Sequence, residues 1–410
     1  MENHKLDSNI GDRGIQYLKI LNVNHLLDVH TGGGTAERTF QMSRALVETG
    51  LNCQILTLNI GLDKRRRDQL YGIDILAFPC INQRFFIPLV SYRRLMKAVE
   101  DADIIHIMGH WTLLNALVYK AAMHLGKPYV VCPAGALPLY GRSNAFKRVY
   151  NAMVGRGIVK DANACIAISP DEFDHFRDYG LDEGKVTLIR NGINPTDFGS
   201  KPPNEFRTRL SIPNEPFILF LGRLNSIKGP DLLLEAFCRI ADRISPYNLI
   251  FAGPDGGMLV DLKRLAKKYN CQNRVYFIGY VEGDDKAHAY SEADLLAIPS
   301  RQEAMSIVVL EAGASATPVL ITEQCGFDEV DSIGGGRVVP ASVDGLAHGL
   351  IELLSNRKQL DRMGKNLNRY TLENFTWNTL VVKLLTLYRD ILNRNVFKTS
   401  NPVKRSAAVR

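Results

Sequence analysis

The chain has 410 residues, 46% of them apolar, and a formal net charge of +7. That length exceeds one ordinary core and suits two α/β domains, and the apolar fraction is that of a globular protein. No apolar run approaches the ~18 residues of a membrane span, and the start Met1-Glu-Asn-His-Lys5 lacks a signal peptide, so the cytoplasm is the expected compartment. Seven cysteines without a Cys-x-x-Cys spacing, among them Cys53, Cys132, Cys165 and Cys271, read as free thiols of a reducing environment.

Strands and helices alternate from the first apolar run onward. Residues 19–24 predict a strand, 34–49 a helix stopped by Gly50, and 52–58 a second strand. Further strands are expected at 104–108, 127–132, 164–169 and 186–190, a series that predicts a parallel sheet with helices on both faces. Gly32-Gly33-Gly34 lies between the first strand and the first helix. Glycine there makes a tight turn and lets backbone amides approach an anion at a helix start, although the full dinucleotide fingerprint is missing. In Ile104-Ile-His-Ile-Met-Gly-His-Trp111, His106 reads as a buried strand histidine. His110 stands at the strand's carboxyl end, where a histidine can hydrogen-bond a sugar or carry a proton near neutral pH.

Basic and apolar residues gather in Lys64-Arg-Arg-Arg67 and in the segment from Arg84 to Arg94. A solvated loop and an amphipathic helix are the plain readings; the functional one is a surface that leans on anionic lipid. Nucleic acid is not expected, because no basic stripe is interleaved with stacking aromatics. Residues 1–195 form the first expected domain and 196–216 a linker. Residues 217–370 repeat the α/β plan. A helix opening at Phe375-Thr-Trp377 runs to Leu392. After Asp390 come Arg394, Lys398, Lys404, Arg405 and Arg410 and no acid, so 393–410 reads as a basic disordered tail.

The second domain carries the chemistry. Residues 217–221 form an apolar strand that ends in Gly222-Arg223, and Lys228-Gly229 open the helix 230–241. A forked donor, a point charge and free backbone amides at a helix start suit a diphosphate. Downstream, 295–300 reads as a buried strand and 306–317 as a helix. Glu303 then falls in the loop at the strand's carboxyl end, and Glu311 about two turns into the helix. Ligands of open parallel sheets bind at such ends, and carboxylates there accept hydrogen bonds from sugar and ribose hydroxyls.

Together, Thr31-Gly-Gly-Gly34, Gly222-Arg-Leu224 with Lys228-Gly229, and Glu303 with Glu311 resemble the signature of the retaining glycosyltransferases of GT-B fold, family 4. The resemblance runs from about Leu18 to Leu392. It implies two Rossmann-like, doubly wound domains facing each other across a cleft, with the helix of 371–392 packed back on the first. It implies Arg223, Lys228, Glu303 and His110 as catalytic groups, and Gly33, Gly34, Gly222, Gly253, Ser306, Ile307 and Glu311 as donor contacts. Trp111, Gly135 and Arg142 would lie on the acceptor side.

The implied reaction moves a sugar from a UDP- or GDP-sugar to a hydroxyl of a glycan or lipid-linked acceptor, with retention, as in bacterial polysaccharide or glycolipid synthesis. Peripheral contact with an anionic membrane at its inner face would accompany a lipid-linked acceptor. Two fixed cations would take the metal's part; Asp101-Ala-Asp103 precedes a strand and reads as a helix end or turn. The chain departs from the family at Met108, where a second histidine is common, and at Ala304-Met305-Ser306, where Gly-Phe-Gly is common. Three rivals stay open: an epimerase of the same architecture, a phosphorylase (for which no pyridoxal lysine is evident), and, because of those departures, a weakly catalytic nucleotide-sugar-binding protein.

Overall fold

The computed structural model describes residues 18–62, 64–139, 144–198 and 206–400. Its contacts divide the chain into two compact units, residues 1–189 with 378–410, and residues 190–377. The boundary falls at Ile189/Arg190, ahead of the expected 195, and the described part of 196–216 belongs to the second unit rather than standing apart.

The first unit contains β1 (Lys19–Val23), β2 (Asn52–Leu58), β3 (Asp74–Phe78), β4 (Cys80–Asn82), β5 (Ile87–Pro88), β6 (Ile104–Met108), β7 (Tyr129–Cys132), β8 (Ala164–Ala167) and β9 (Val186–Leu188). Seven of them form a parallel sheet in the order β3-β2-β1-β6-β7-β8-β9, and β4 and β5 pair as a small antiparallel hairpin. β6 is buried at every position, as expected of a strand covered by helices on both faces. The helix Leu113–Leu125 that follows is capped by Thr112, whose hydroxyl accepts from the Asn115 amide at 3.1 Å, and ends at Gly126 in the left-handed region.

The second unit contains β10 (Phe217–Leu221), β11 (Asn248–Ala252), β12 (Val275–Gly279), β13 (Leu295–Ile298), β14 (Val319–Thr322) and β15 (Gly336–Val339). They pair in parallel in the order β12-β11-β10-β13-β14-β15. This is the doubly wound 3-2-1-4-5-6 order, whose ligand site lies where the order reverses, beyond the carboxyl ends of β10 and β13. The helix Pro230–Ile240 buries Leu233, Leu234, Phe237 and Ile240 on one stripe against the sheet. The two crossings into this unit run side by side: Ile193 bridges Thr376, its amide donates to the Phe375 carbonyl at 2.8 Å, and the Trp377 amide donates to its carbonyl at 3.1 Å.

Several expectations are corrected. β3 was not anticipated: Asp74–Phe78 is a short, half-buried edge strand whose apolar run, Ile75–Phe78, is only four residues long. A short helical segment from Val29, not anticipated, is separated by a break at Gly33 (φ 57°, ψ −147°) from the expected helix, which runs on to Glu48. The last helix runs from Trp377 to Ser400, past the expected end at Leu392; residues 401–410 of the expected tail lie outside the described residues. Cys238 and Cys271 are joined by a disulfide, where free thiols were expected. The fold brings their Cα atoms, one in the helix Pro230–Ile240 and one in the turn before β12, to 5.9 Å, within bridging range. Cys53, Cys80, Cys132, Cys165 and Cys325 are free. Arg66 of the basic cluster is buried: its Nε donates to the Leu27 carbonyl at 3.0 Å, and its guanidinium lies over Phe40. Among the described residues no helix is long and apolar enough to cross a membrane.

Candidate functional site

Where β10 ends, the backbone stays in register with its neighbours. The Gly222 amide donates to the Ala252 carbonyl at 2.9 Å, and the Gly253 amide to the Gly279 carbonyl at 2.7 Å. Gly253 has φ 144°, and a Cβ there would lie 2.0 Å from the Gly222 carbonyl oxygen, so only glycine permits this approach. Asp255 does not open toward a ligand. Its Oδ1 accepts from the amides of Gly257, Met258 and Leu259 at 2.7–3.1 Å, which hold its carboxyl below the usual range.

The loop with both cations is laced to the loop after β13. Arg301 grips it: Nη1 donates to the Ser226 carbonyl (2.7 Å) and Asp231 Oδ1 (2.8 Å), Nη2 to Asp231 Oδ2 (2.6 Å), and its amide to the Ile227 carbonyl (2.7 Å). Gly229 sits in the left-handed region with Pro299 pressed against it; an added Cβ would come 2.1 Å from the Pro299 oxygen. The Lys228 amide donates to Asn225 Oδ1 at 3.0 Å. Its ammonium forms an ion pair with Glu303 Oε1, which also accepts from Ser300 Oγ at 2.9 Å. The Glu303 side chain is 8% exposed and that of Lys228 35%. Arg223 is half-buried in the same loop, with its Cγ beside Gly256.

Beyond Glu303, Ala304-Met305-Ser306 leads into the helix Ile307–Ala314. Gly326 at φ 62° lets the next loop close on the Ala304 carbonyl, and the Ser306 amide donates to the Cys325 carbonyl at 3.1 Å. Ser306 occupies the N-cap position, yet its buried hydroxyl makes no cap bond and finds no partner among the described residues. Glu311 is buried and engaged: Lys286 Nζ donates to Oε1 and the Tyr290 hydroxyl to Oε2, both at 2.6 Å. Burial, then Glu311 and Glu303, push the Tyr290 hydroxyl well above its ordinary range, so both glutamates act on one buried phenol. Sequence reasoning missed Lys286 and Tyr290. Their i, i+4 spacing on the helix Gly283–Glu292 was the available signal.

In the first unit the strand order reverses between β1 and β6. Gly33 and Gly34 are exposed in the helix that follows β1. His110 follows β6 but is 1% exposed, enclosed by the rings of Trp111, Tyr150 and Tyr179 at 4.5–5.8 Å. Its Nε2 lies 3.0 Å from Asn151 Oδ1 and 3.3 Å from the Tyr179 hydroxyl. Burial lowers its pKa to about 4, the Asn151 bond opposing, so the ring is neutral near pH 7. The Trp111 indole N–H donates to the Ala136 carbonyl. The Gly135 amide donates to Glu172 Oε1, and the Ile168 amide to Oε2 at 2.6 Å; this buried carboxylate gave no signal in the sequence. Met108 is fully buried in the core, and His106 Nδ1 lies 2.6 Å from the Tyr388 hydroxyl. Arg142 lies outside the described residues.

Solved structures share this architecture. A glycosyltransferase from Rickettsia africae matches with a TM-score of 0.72 at 21% identity, over 92% of this chain and 99% of its own. HepE from Anabaena, in complex with UDP and glucose, matches with a TM-score of 0.72 at 18% identity, over 90% of this chain and 99% of its own. The two doubly wound units thus have the GT-B fold. The family model for glycosyl transferases group 1 matches residues 203–369, and that for glycosyltransferase family 4 matches residues 32–197. An uncharacterized glycosyltransferase of Methanocaldococcus jannaschii is 32% identical over 87% of this chain and 94% of its own length. A D-inositol 3-phosphate glycosyltransferase of Salinispora tropica is 25% identical over 71% of this chain and 66% of its own. The chain belongs to glycosyltransferase family 4.

Proposed function

We propose that this chain is a retaining hexosyltransferase that moves a sugar from a UDP- or GDP-sugar to a hydroxyl of a glycan or lipid-linked acceptor. The setting we infer is bacterial polysaccharide or glycolipid synthesis in the cytoplasm, at the inner face of the membrane. The observation that carries the reading is the Lys228–Glu303 ion pair beside the strand-order reversal of the second unit. A lysine and a carboxylate that neutralise each other are poised to part when a ligand offers anionic oxygens to one and hydroxyls to the other. HepE, crystallised with UDP and with UDP-glucose, supports a uridine donor.

In the transition state the leaving diphosphate gains negative charge, which Lys228, Arg223 and the amides at the start of the helix Ile307–Ala314 stabilise. The oxocarbenium-like sugar is held through its hydroxyls by Glu303, and Ser306 offers an unspent hydroxyl beside it. Glu311 takes the ribose hydroxyls in exchange for the Lys286 ammonium. Gly222 and Gly253 let the backbone approach the nucleotide, and Gly33 and Gly34 add donor contacts. Trp111, Gly135 and Arg142 belong to the acceptor side. His110 acts as a positioning residue, because its ring is enclosed. With two side-chain cations on the diphosphate, no divalent ion is required.

The test is a thermal-shift panel of nucleotide diphosphate sugars, followed by product analysis of the anomeric configuration. Stabilisation by one donor and a new glycosidic bond of retained configuration are expected. A free epimer in place of a glycoside, or no stabilisation by any donor together with no transfer, rejects the reading.

A further inference from the structure

The first unit presents a face that is both apolar and cationic. From Ile104 to Lys160 the chain carries seven Lys and Arg residues and not one Asp or Glu, and residues 75–99 also lack an acid. Within the first stretch, Asn144–Lys160 is one continuous helical run, broken in register by a π-turn at Asn151–Gly155. Its inward stripe of Tyr150, Val154 and Ile158 packs on the core. Its outward stripe is also apolar: Phe146, Val149 and Met153 are 70%, 55% and 80% exposed. An amphipathic helix normally turns charge to water on that side, so a second apolar stripe lacks its cover.

A second element extends the stripe. Phe85, at the turn of the β4–β5 hairpin and 54% exposed, stacks on Phe146 with ring centroids 6.4 Å apart. Arg84 lies over the Phe85 ring, and Arg148 beside Val149 is exposed. Lys147 lies over Trp111, which sets this face next to the carboxyl end of β6. Aromatic and aliphatic side chains ringed by cations, with no carboxylate in either segment, complement an interface of acyl chains under anionic headgroups.

We propose that this face, centred on Phe85, Phe146 and Met153 with Arg84 and Arg148 at its rim, docks on an anionic bilayer. It thereby holds the first unit against the surface where a lipid-linked acceptor resides. The proposal rests on the lipid-linked reading of the acceptor and names the surface that reading needs.

The experiment is co-sedimentation of the full chain with vesicles of phosphatidylcholine, with and without phosphatidylglycerol, at low and high salt. Binding should require phosphatidylglycerol and weaken with salt. Arg148→Glu should lose about fivefold or more in vesicle binding. The double substitution Phe146→Ser with Met153→Ser should lose binding comparably. Donor-induced thermal stabilisation measured on the same variants reports that they fold, and separates failure of this surface from failure of the transferase reading. Absence of vesicle binding, equal binding to uncharged vesicles, or unchanged binding by both variants overturns the proposal. So does a dimer in sedimentation that the same substitutions dissolve while vesicles remain unbound.

Discussion

The Lys228 ammonium and the Glu303 carboxylate meet in one ion pair, although 75 residues separate them in the chain. In the proposed mechanism, replacing either cation of the β10 loop removes positive charge that would face the leaving diphosphate. Lys228→Ala and Arg223→Ala should each lower turnover by about 2.7–4 kcal/mol, a hundredfold or more. Steady-state kinetics beside circular dichroism checks this; near-normal turnover in both folded variants would rule out the donor site.

Glu311 has a structural duty that can be separated from any role in binding. Glu311→Ala removes the carboxylate that the Lys286 ammonium and the buried Tyr290 hydroxyl share and should cost about 3 kcal/mol of stability. Chemical denaturation measures it. Glu311→Gln, which keeps one acceptor, should lose less stability while still weakening the donor-induced thermal shift.

Three histidines make the fold acid-sensitive. Burial lowers His25 and His110 to about 4, and burial together with Arg38 lowers His106 to about 3, against an ordinary value of 6.5. The unfolded chain therefore binds more protons below pH 6.5. The stability these rings lend is complete above pH 6.5 and lost as pH falls toward 4. Melting temperature should fall steeply through that window, and His110→Gln should flatten the slope; an unchanged slope counts against a neutral buried ring.

Glycine substitutions should divide by backbone geometry. Gly253→Ala forces a Cβ onto the Gly222 carbonyl at a φ of 144°, and should destabilise the second unit by about 1–3 kcal/mol. Gly184→Ala meets nothing within 4 Å and should be neutral or stabilising by up to about 1 kcal/mol. Thermal melts of the two variants compare them directly.

Chelation tests the electrostatic substitution of side chains for a metal. Transfer by the purified enzyme in EDTA should match transfer in added magnesium. Loss of activity in EDTA, restored by magnesium, would overturn that part of the mechanism.

What the sequence could disclose follows from how local each feature is. β6 was readable because a strand buried on both faces is apolar throughout, whereas β3 hides in a half-buried edge. Lys228 and Glu303 stood out because strand ends beside helix starts are local patterns. Their ion pair, and the bonds of Arg301 to Ser226, Ile227 and Asp231, were not readable, since those depend on how two loops approach. Lys286, Tyr290 and Asn151 escaped notice for the same reason: each acquires meaning only from a partner on another element. The Cys238–Cys271 pairing, 33 residues apart, likewise needed the tertiary fold.

The paired crossings at Ile193 and Thr376 carry a consequence for how the gene can be cut. The second unit is a contiguous insert whose entry and exit strands are clasped together, so its two ends already sit as neighbours. A single fragment spanning 190–377 contains the whole second unit, whereas the first unit becomes one continuous chain only by splicing 189 to 378. The second unit can thereby be cut out in one piece, and the first cannot.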